Sequence, residues 1–560
     1  MSNKKWEDLL AFSALVLTAV LLNMHAHRWI VRWDLTEEKR FTMRQATQQM
    51  LEELPQEASI EVYLDGEMNA DFKRLQEGIR ETLEQFRMHS AGKLSYRFVD
   101  PNATKGREKQ ELITYLVNSG IPQTNLFDIT ESGERIQKMI FPGAIIRYAG
   151  KEKGVLLLKG NKGSSAQEQI NQSIEGIEYE LASTLHTLTA TDKKRIAFIQ
   201  GHGELTPEET QGIAAEIRET YLLDYVPILP PEKMKEYDAI VVAQPKTTFS
   251  PSDKFFLDQY LMQGGKAILM ADPIQMNKDS IPMGGTYGFG YDLRWEELIF
   301  RYGIRLNTNL VQDQQAGVLE VVTGNVGNQQ QVQPLPWPYY IYLNKFGKHP
   351  IVRNLDVVYG KFVTTLDTVK TKEIKKTPLM FSSQYSRIKQ MPGMVSLDEI
   401  RRDRDKELFD QSHLPVAYLL EGAFTSLYAN RYPPLGLTDR KVIGKSPQTK
   451  LIVVGDADII RNERNWRTGK LDPIDFDPYR QQRLSNTEFF MNSLAYLTDD
   501  SGLISARSRQ VTLRPLDPFK VTEDKLFWQL LNIAGPVMLV IIFGIGRTYW
   551  RRKQYGQRRH

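Results

Sequence analysis

The sequence predicts an α/β protein held to a membrane at both ends. A doubly wound parallel sheet forms its main domain, a smaller α/β domain precedes it, and one transmembrane helix lies at each end. Three observations carry this reading. From residue 193 onward, short apolar runs alternate with segments of helical period, the pattern of a parallel sheet covered on both faces. The run "YDAIVVAQP" at 237–245 is apolar almost throughout, as a strand buried on both sides is. Finally, 9–27 and 526–546 contain no formal charge.

Composition narrows the function classes. A chain of 560 residues exceeds one compact core, so about three domains are expected. The net charge of +4 is small, and basic residues in the folded part occur only as scattered pairs, which argues against a nucleic-acid binder. There is no cysteine, which excludes disulfides, thiolate metal sites and a cysteine nucleophile.

The uncharged ends set the topology. About 20 residues rising about 1.5 Å each cross a hydrocarbon core of about 30 Å. The first stretch is followed by "HRWIVRWDL" rather than a small-residue cleavage pattern, so it reads as an uncleaved anchor. The second contains Pro536, which a membrane helix tolerates when neighbouring groups satisfy the freed carbonyl. The tail "RTYWRRKQYGQRRH" has six Lys/Arg and no acid, which places it in the cytoplasm. With two spans both termini share that side. The bulk of the chain then lies outside a bacterial inner membrane, in the periplasm.

In chain order, 1–8 is a cytoplasmic terminus, 9–30 the first span and 31–49 a juxtamembrane stalk. There Thr42 and Gln45 suggest a capping box for a helix that stops before Pro55. Residues 50–160 alternate strand, helix and strand and form a small α/β domain of thioredoxin-like character. A polar linker and long helix occupy 161–192. The doubly wound domain takes 193–280 and 446–505, with a helix starting at Ser252 and stopping at a glycine pair. A β- and loop-rich insertion fills 281–445. A re-entry segment, 506–525, leads to the second span at 526–546 and the basic tail at 547–560.

Strand ends in such a sheet gather His202, Glu204, Asp272, Asp456 and Asp458. A histidine among carboxylates can hold a divalent metal or move protons. The same stretches, "GHGE", "ADP" and "GDAD", also read as turns, with glycine supplying φ freedom and aspartate capping. The set is therefore a candidate ligand crevice, with no metal, cofactor or catalytic residue assigned. The strand–turn–helix around His202 resembles class I glutamine amidotransferase-like domains, whose nucleophile is a cysteine. This chain has neither a cysteine nor a G-x-S-x-G elbow. "IGKSPQ" at 443–448 lacks the leading glycine of a phosphate-binding loop, since Asp439 stands there. Trp337, Tyr339, Tyr340 and Tyr342, in "PLPWPYYIYLN", form either a docking loop or plain core.

"RWDLTEEKRFTM", "IAFIQGHGEL", "LRWEELIFRYGIRLNTNLVQD", "LLEGAFTSLYANR", "GDADIIRN" and "FFMNSLAYLTDDSGLISARSR" occur here in one order. In that order they resemble ABC-transporter auxiliary-domain proteins, and among them the gliding-motility-associated (GldG-type) components of Bacteroidetes. The similarity runs from about residue 5 to 545. It implies a non-catalytic auxiliary subunit in a hetero-oligomer. Its partners would be an ABC permease, a separate cytoplasmic ABC ATPase reached through that permease, membrane lipid, and components of the gliding and type IX secretion machinery. The resemblance brings no catalytic residues and no cofactor.

Coupling to a permease is expected at the stalk and the re-entry segment, with Trp33, Asp34, Leu35, Thr36, Arg507, Arg509, Phe527, Trp528 and Pro536 as candidate interface residues. Arg507 and Arg509 either face lipid phosphates or the permease, or are solvated flanks. Two rival readings are a membrane-anchored periplasmic ligand or glycan receptor and a metal-dependent envelope hydrolase.

Overall fold

The computed structural model describes residues 42–129, 135–160, 165–190, 192–326, 329–399, 406–464, 468–477, 479–480, 482–499, 502–508 and 524–556. Nearer the amino end it describes residues 6, 12–14, 16–18 and 20, all helical. The rest of the expected first span, with Trp33, Asp34, Leu35, Thr36 and Arg509, lies outside the described residues. The chain divides into two compact units, Met1–Arg509 and Gln510–His560.

An eight-stranded sheet organises the first unit. Its strands in chain order are β1 (Arg195–Gln200), β2 (Leu222–Pro227), β3 (Ala239–Ala243), β4 (Ala267–Met270), β5 (Lys345–Phe346), β6 (Ile374–Phe381), β7 (Pro415–Thr425) and β8 (Lys445–Val454). Their spatial order is β5-β6-β7-β8-β4-β3-β1-β2. β2, β1, β3, β4 and β8 run parallel. β7, β6 and β5 extend that block antiparallel. Within the parallel block the order is that of a doubly wound sheet, and direction of winding reverses between β1 and β3.

Alternation along the strands explains why both faces are covered. Phe198, Val241, Ile268 and Met270 face one cluster with Phe489, Phe490 and Leu494 of the helix Asn486–Thr498. Their neighbours Ala197, Ile199, Ile240, Val242 and Leu269 face the other, with Phe255, Leu257 and Tyr260 of the helix Pro251–Met262. Successive side chains on a strand point to opposite faces, so a run apolar at every position needs a partner layer on each side. The latter helix starts slightly earlier than expected. Ser250, not Ser252, is its N-cap, and Ser250 Oγ accepts from the Asp253 amide at 3.1 Å while Pro251 takes the first helical position.

The insertion is richer in sheet than its Gln- and Pro-rich composition suggests. β5, β6 and β7 all lie in it, and Ala316–Val326 pairs with Gln329–Leu343 in a long hairpin. The segment 337–342 is thus strand rather than loop, and Trp337, Tyr339 and Tyr342 are buried.

The smaller sheet has the order Leu94–Phe98, Ala58–Val62, Gly143–Tyr148, Lys151–Leu156, with the first pair parallel and the rest antiparallel. The helix Ala70–His89, capped by Asn69, connects the parallel pair. The long helix Ala166–Thr189 covers this sheet through Ile177, Leu181 and Leu185. The N-cap is not Thr42, as a capping box with Gln45 would require. The helix begins at Gln45 with Arg44 as N-cap and no side-chain cap, and the Arg44 amide donates to Glu178 Oε1 at 2.8 Å.

In the second unit, the helix Lys525–Gly556 contains Pro536 and exposes its apolar side chains. Its stretch Lys525–Lys553 is long and apolar enough to cross a membrane.

Candidate functional site

The carboxyl ends of β1, β3, β4 and β8 lie side by side, and all five sequence-predicted crevice residues follow these strands. The contacts sort them into two groups.

His202 follows β1 between Gly201 and Gly203, whose φ angles of 123° and 77° favour glycine and turn the chain sharply. The turn folds Glu204 back, so that its carboxylate accepts from the His202 amide at 2.6 Å and lies 3.2 Å from Nδ1. Nε2 lies 3.3 Å from Asp253 Oδ2, one turn into the Pro251–Met262 helix. The imidazole stacks on Phe249 at 3.9 Å between centroids, and Phe249 stacks on Trp295 at 5.4 Å. Burial opposes charge on this ring, but Glu204 and Asp253 outweigh it and raise its pKa above the usual value. Ser250 Oγ donates to Asp253 rather than meeting the imidazole, so this is not a nucleophile–base pair.

Asp272, after β4, and Asp456 and Asp458, after β8, converge so that one oxygen from each lies within 4.8 Å of the others. Gln244, after β3, joins them. Its Nε2 donates to Asp272 Oδ2, and to Asp458 Oδ1 at 3.1 Å. Gln244 holds a φ of 57°, a conformation non-glycine residues avoid at a cost on the order of 1 kcal/mol. Lys278 reaches Asp458 Oδ2 at 2.7 Å and Arg461 reaches Oδ1 at 3.4 Å. Asp456 accepts from the amides of Lys361 and Asp458, each at 2.8 Å. Burial and neighbouring carboxylates push Asp272 and Asp456 above the ordinary range. For Asp458 burial acts the same way, yet Lys278 and Arg461 prevail and hold it below.

Sequence reasoning missed Gln244, Asp253, Lys278 and Arg461. Gln244 had a legible signal, a polar residue closing a buried apolar strand just before a proline. Lys278 and Arg461 had none, because their roles depend on how loops cross the strand ends.

The other candidates are placed as follows. Arg507, expected at a lipid or permease flank, is 3% exposed and lies 2.9 Å from Glu488 and 3.4 Å from Glu180, over the Tyr179 ring. The buried Glu180 and the half-buried Glu488 explain the difference, since an arginine that neutralises both is retained inside. The docking-loop residues are packed among themselves and their neighbours. Trp337 and Tyr339 have centroids 5.0 Å apart, Tyr339 donates to Glu399 at 2.7 Å, and Tyr342 donates to Asp477 at 2.5 Å. Tyr340 meets Tyr359 and Phe362 edge-on. Phe527 and Trp528 are exposed on the apolar helix and touch edge to face at 5.4 Å.

The fold and site therefore define a doubly wound α/β chain with an apolar helix near its carboxyl end. Residues 193–493 match the family described as an ABC-type uncharacterized transport system. That is more than half of the sequence, and the chain belongs to this auxiliary family of ABC transport systems, which is not a known catalytic family. Residues 37–147 match a domain of unknown function, DUF7088. No curated protein matches. Among solved structures, the mmIFT52 N-terminal domain is similar at 14% identity over 55% of this chain and 99% of that one, with a TM-score of 0.32.

Proposed function

We propose that the protein is a non-catalytic, membrane-anchored accessory subunit of an ABC transport complex whose permease and ATPase are separate chains. Family membership over residues 193–493 is the observation that carries this reading. The exposed apolar helix Lys525–Lys553 is consistent with it.

In its fuller form, two spans leave both termini in the cytoplasm and the α/β domains, including a thioredoxin-like one, in the periplasm of the inner membrane. The complex would be of the gliding-motility-associated type and serve type IX secretion. ATP-driven motion of the permease would reach the periplasmic domains by biasing two arrangements of the segments that join them to the spans.

A photo-crosslinking amino acid at Trp528 tests the reading in native membranes. A specific adduct with a polytopic membrane protein supports it. Adducts with lipid alone contradict it.

A further inference from the structure

The acidic group at the ends of β3, β4 and β8 contains one donor that the protein itself leaves unused. Gln244 is 4% exposed, and its Oε1 is buried without a hydrogen-bond partner among the described residues. Its amide head is fixed among the carboxylates by the two bonds from Nε2 to Asp272 and Asp458. Leaving a buried carbonyl oxygen unpaired is unfavourable, because it has given up water without gaining a partner.

The charges point the same way. Asp272 is held by the Gln244 amide and the Ala457 N–H at 3.1 Å, and Asp456 by two backbone N–H groups. Neither carboxylate has a lysine or arginine in contact among the described residues. Lys278 and Arg461 both go to Asp458. Arg461 is shared with Glu209 at 2.8 Å, and the nearby Lys361 is occupied by Glu463 at 2.6 Å. Asp272 and Asp456 are thus the two carboxylates of the group that no cationic side chain among the described residues contacts.

The spacing also fits. Oxygens bound to one cation at about 2.1–2.4 Å lie at most about 4.8 Å apart, and the three aspartates offer oxygens within 4.8 Å of one another. All four donors are oxygens, which select hard cations such as Mg²⁺, Mn²⁺ or Ca²⁺ over zinc or copper.

We infer that Asp272, Asp456 and Asp458, together with the amide oxygen of Gln244, bind one hard divalent cation at the carboxyl ends of β3, β4 and β8. The cation satisfies Gln244 Oε1 and supplies positive charge to the two carboxylates that no lysine or arginine contacts. It joins β4 to β8, which flank the long insertion in sequence, and so fixes the sheet across the place where the insertion leaves and returns. This inference does not depend on the transport reading.

The test is a Mn²⁺ titration of the full-length chain in detergent, stripped with chelator, followed by the loss of the free-ion electron paramagnetic resonance signal. One Mn²⁺ per chain is expected, displaced by excess Mg²⁺ or Ca²⁺. Asp456→Asn and the less buried Asp272→Asn should each weaken binding roughly tenfold or more. Gln244→Glu separates a ligand from a structural amide: a carboxylate oxygen in the ligand position keeps or tightens Mn²⁺ binding. Absence of stoichiometric Mn²⁺ overturns the inference. So does binding that survives both aspartate substitutions, or loss of Mn²⁺ binding in a folded Gln244→Glu chain. If Asp456→Asn does not fold, Asp272→Asn decides.

Discussion

Arg507, itself buried, pairs with the half-buried Glu488 at 2.9 Å, with Glu180 on the same guanidinium and Lys159 2.7 Å from Glu180. The network ties the last described residues of the first unit to the long helix Ala166–Thr189 and to the helix Asn486–Thr498. Residues Leu503–Ser508 are therefore anchored into the body of the first unit rather than left as a free tether.

Removing the guanidinium leaves Lys159 alone with Glu180 and Glu488. Arg507→Met should destabilise the chain by about 3 kcal/mol, read as a lower denaturant midpoint. Restoring charge balance with Glu488→Gln in the same chain should recover part of that loss. A midpoint unchanged by Arg507→Met contradicts the network's role.

Two histidines should titrate in opposite directions. His202 is raised by Glu204 and Asp253, so its contribution to stability is full below the unfolded value of about 6.5 and fades as pH rises through the folded value. His349, buried against Tyr496, is lowered to about 4 because burial disfavours its charged form. The unfolded chain takes up that proton first, so stability falls as pH drops from about 6.5 toward 4. Histidine NMR titration should assign one pKa above and one below the ordinary value, and His202→Gln should remove the first alone.

Gly455 shows how the strand end is held. A Cβ there would lie 2.3 Å from the Thr364 carbonyl oxygen, while Gly455 bonds Val416 and Thr364 on either side at 2.8 Å. Neither neighbour can withdraw without losing its own hydrogen bond. Gly455→Ala should cost about 2–3 kcal/mol and displace Asp456. Gly444→Ala, whose Cβ would meet only ordinary contacts with Ala429, should be near neutral. Equal midpoints for the two variants would refute the steric argument.

The lack of cysteine makes topology directly measurable, because an introduced thiol is the only one in the chain. A cysteine at Ser280 should react with a membrane-impermeant maleimide added to spheroplasts. One at Gln554 should react only after permeabilisation. The reverse pattern would invert the proposed orientation.

The parallel core was legible because β1, β3, β4 and β8 are nearly continuous apolar runs, and their carboxyl ends could be placed together from alternation alone. Assignment of β6 and β7 to the same sheet was not legible. "PVAYLLEGAFT" reads as a strand but does not say which edge it joins, and that choice depends on contacts far apart in sequence. The site was half legible: the strand ends put His202, Glu204, Asp272, Asp456 and Asp458 into one crevice, whereas the separation of His202 from the aspartates depends on Glu204 folding back and on Asp253 from the next helix. Arg507 was misread because a basic residue near a membrane flank and one that closes a buried acidic pair look alike in sequence.

The most direct measurement is purification of the tagged full-length chain from its native membrane in mild detergent, with mass spectrometry of what accompanies it. The account predicts an ABC permease and its ATPase in a fixed ratio to the chain. Recovery of the chain alone, from membranes in which that permease is present, would contradict it.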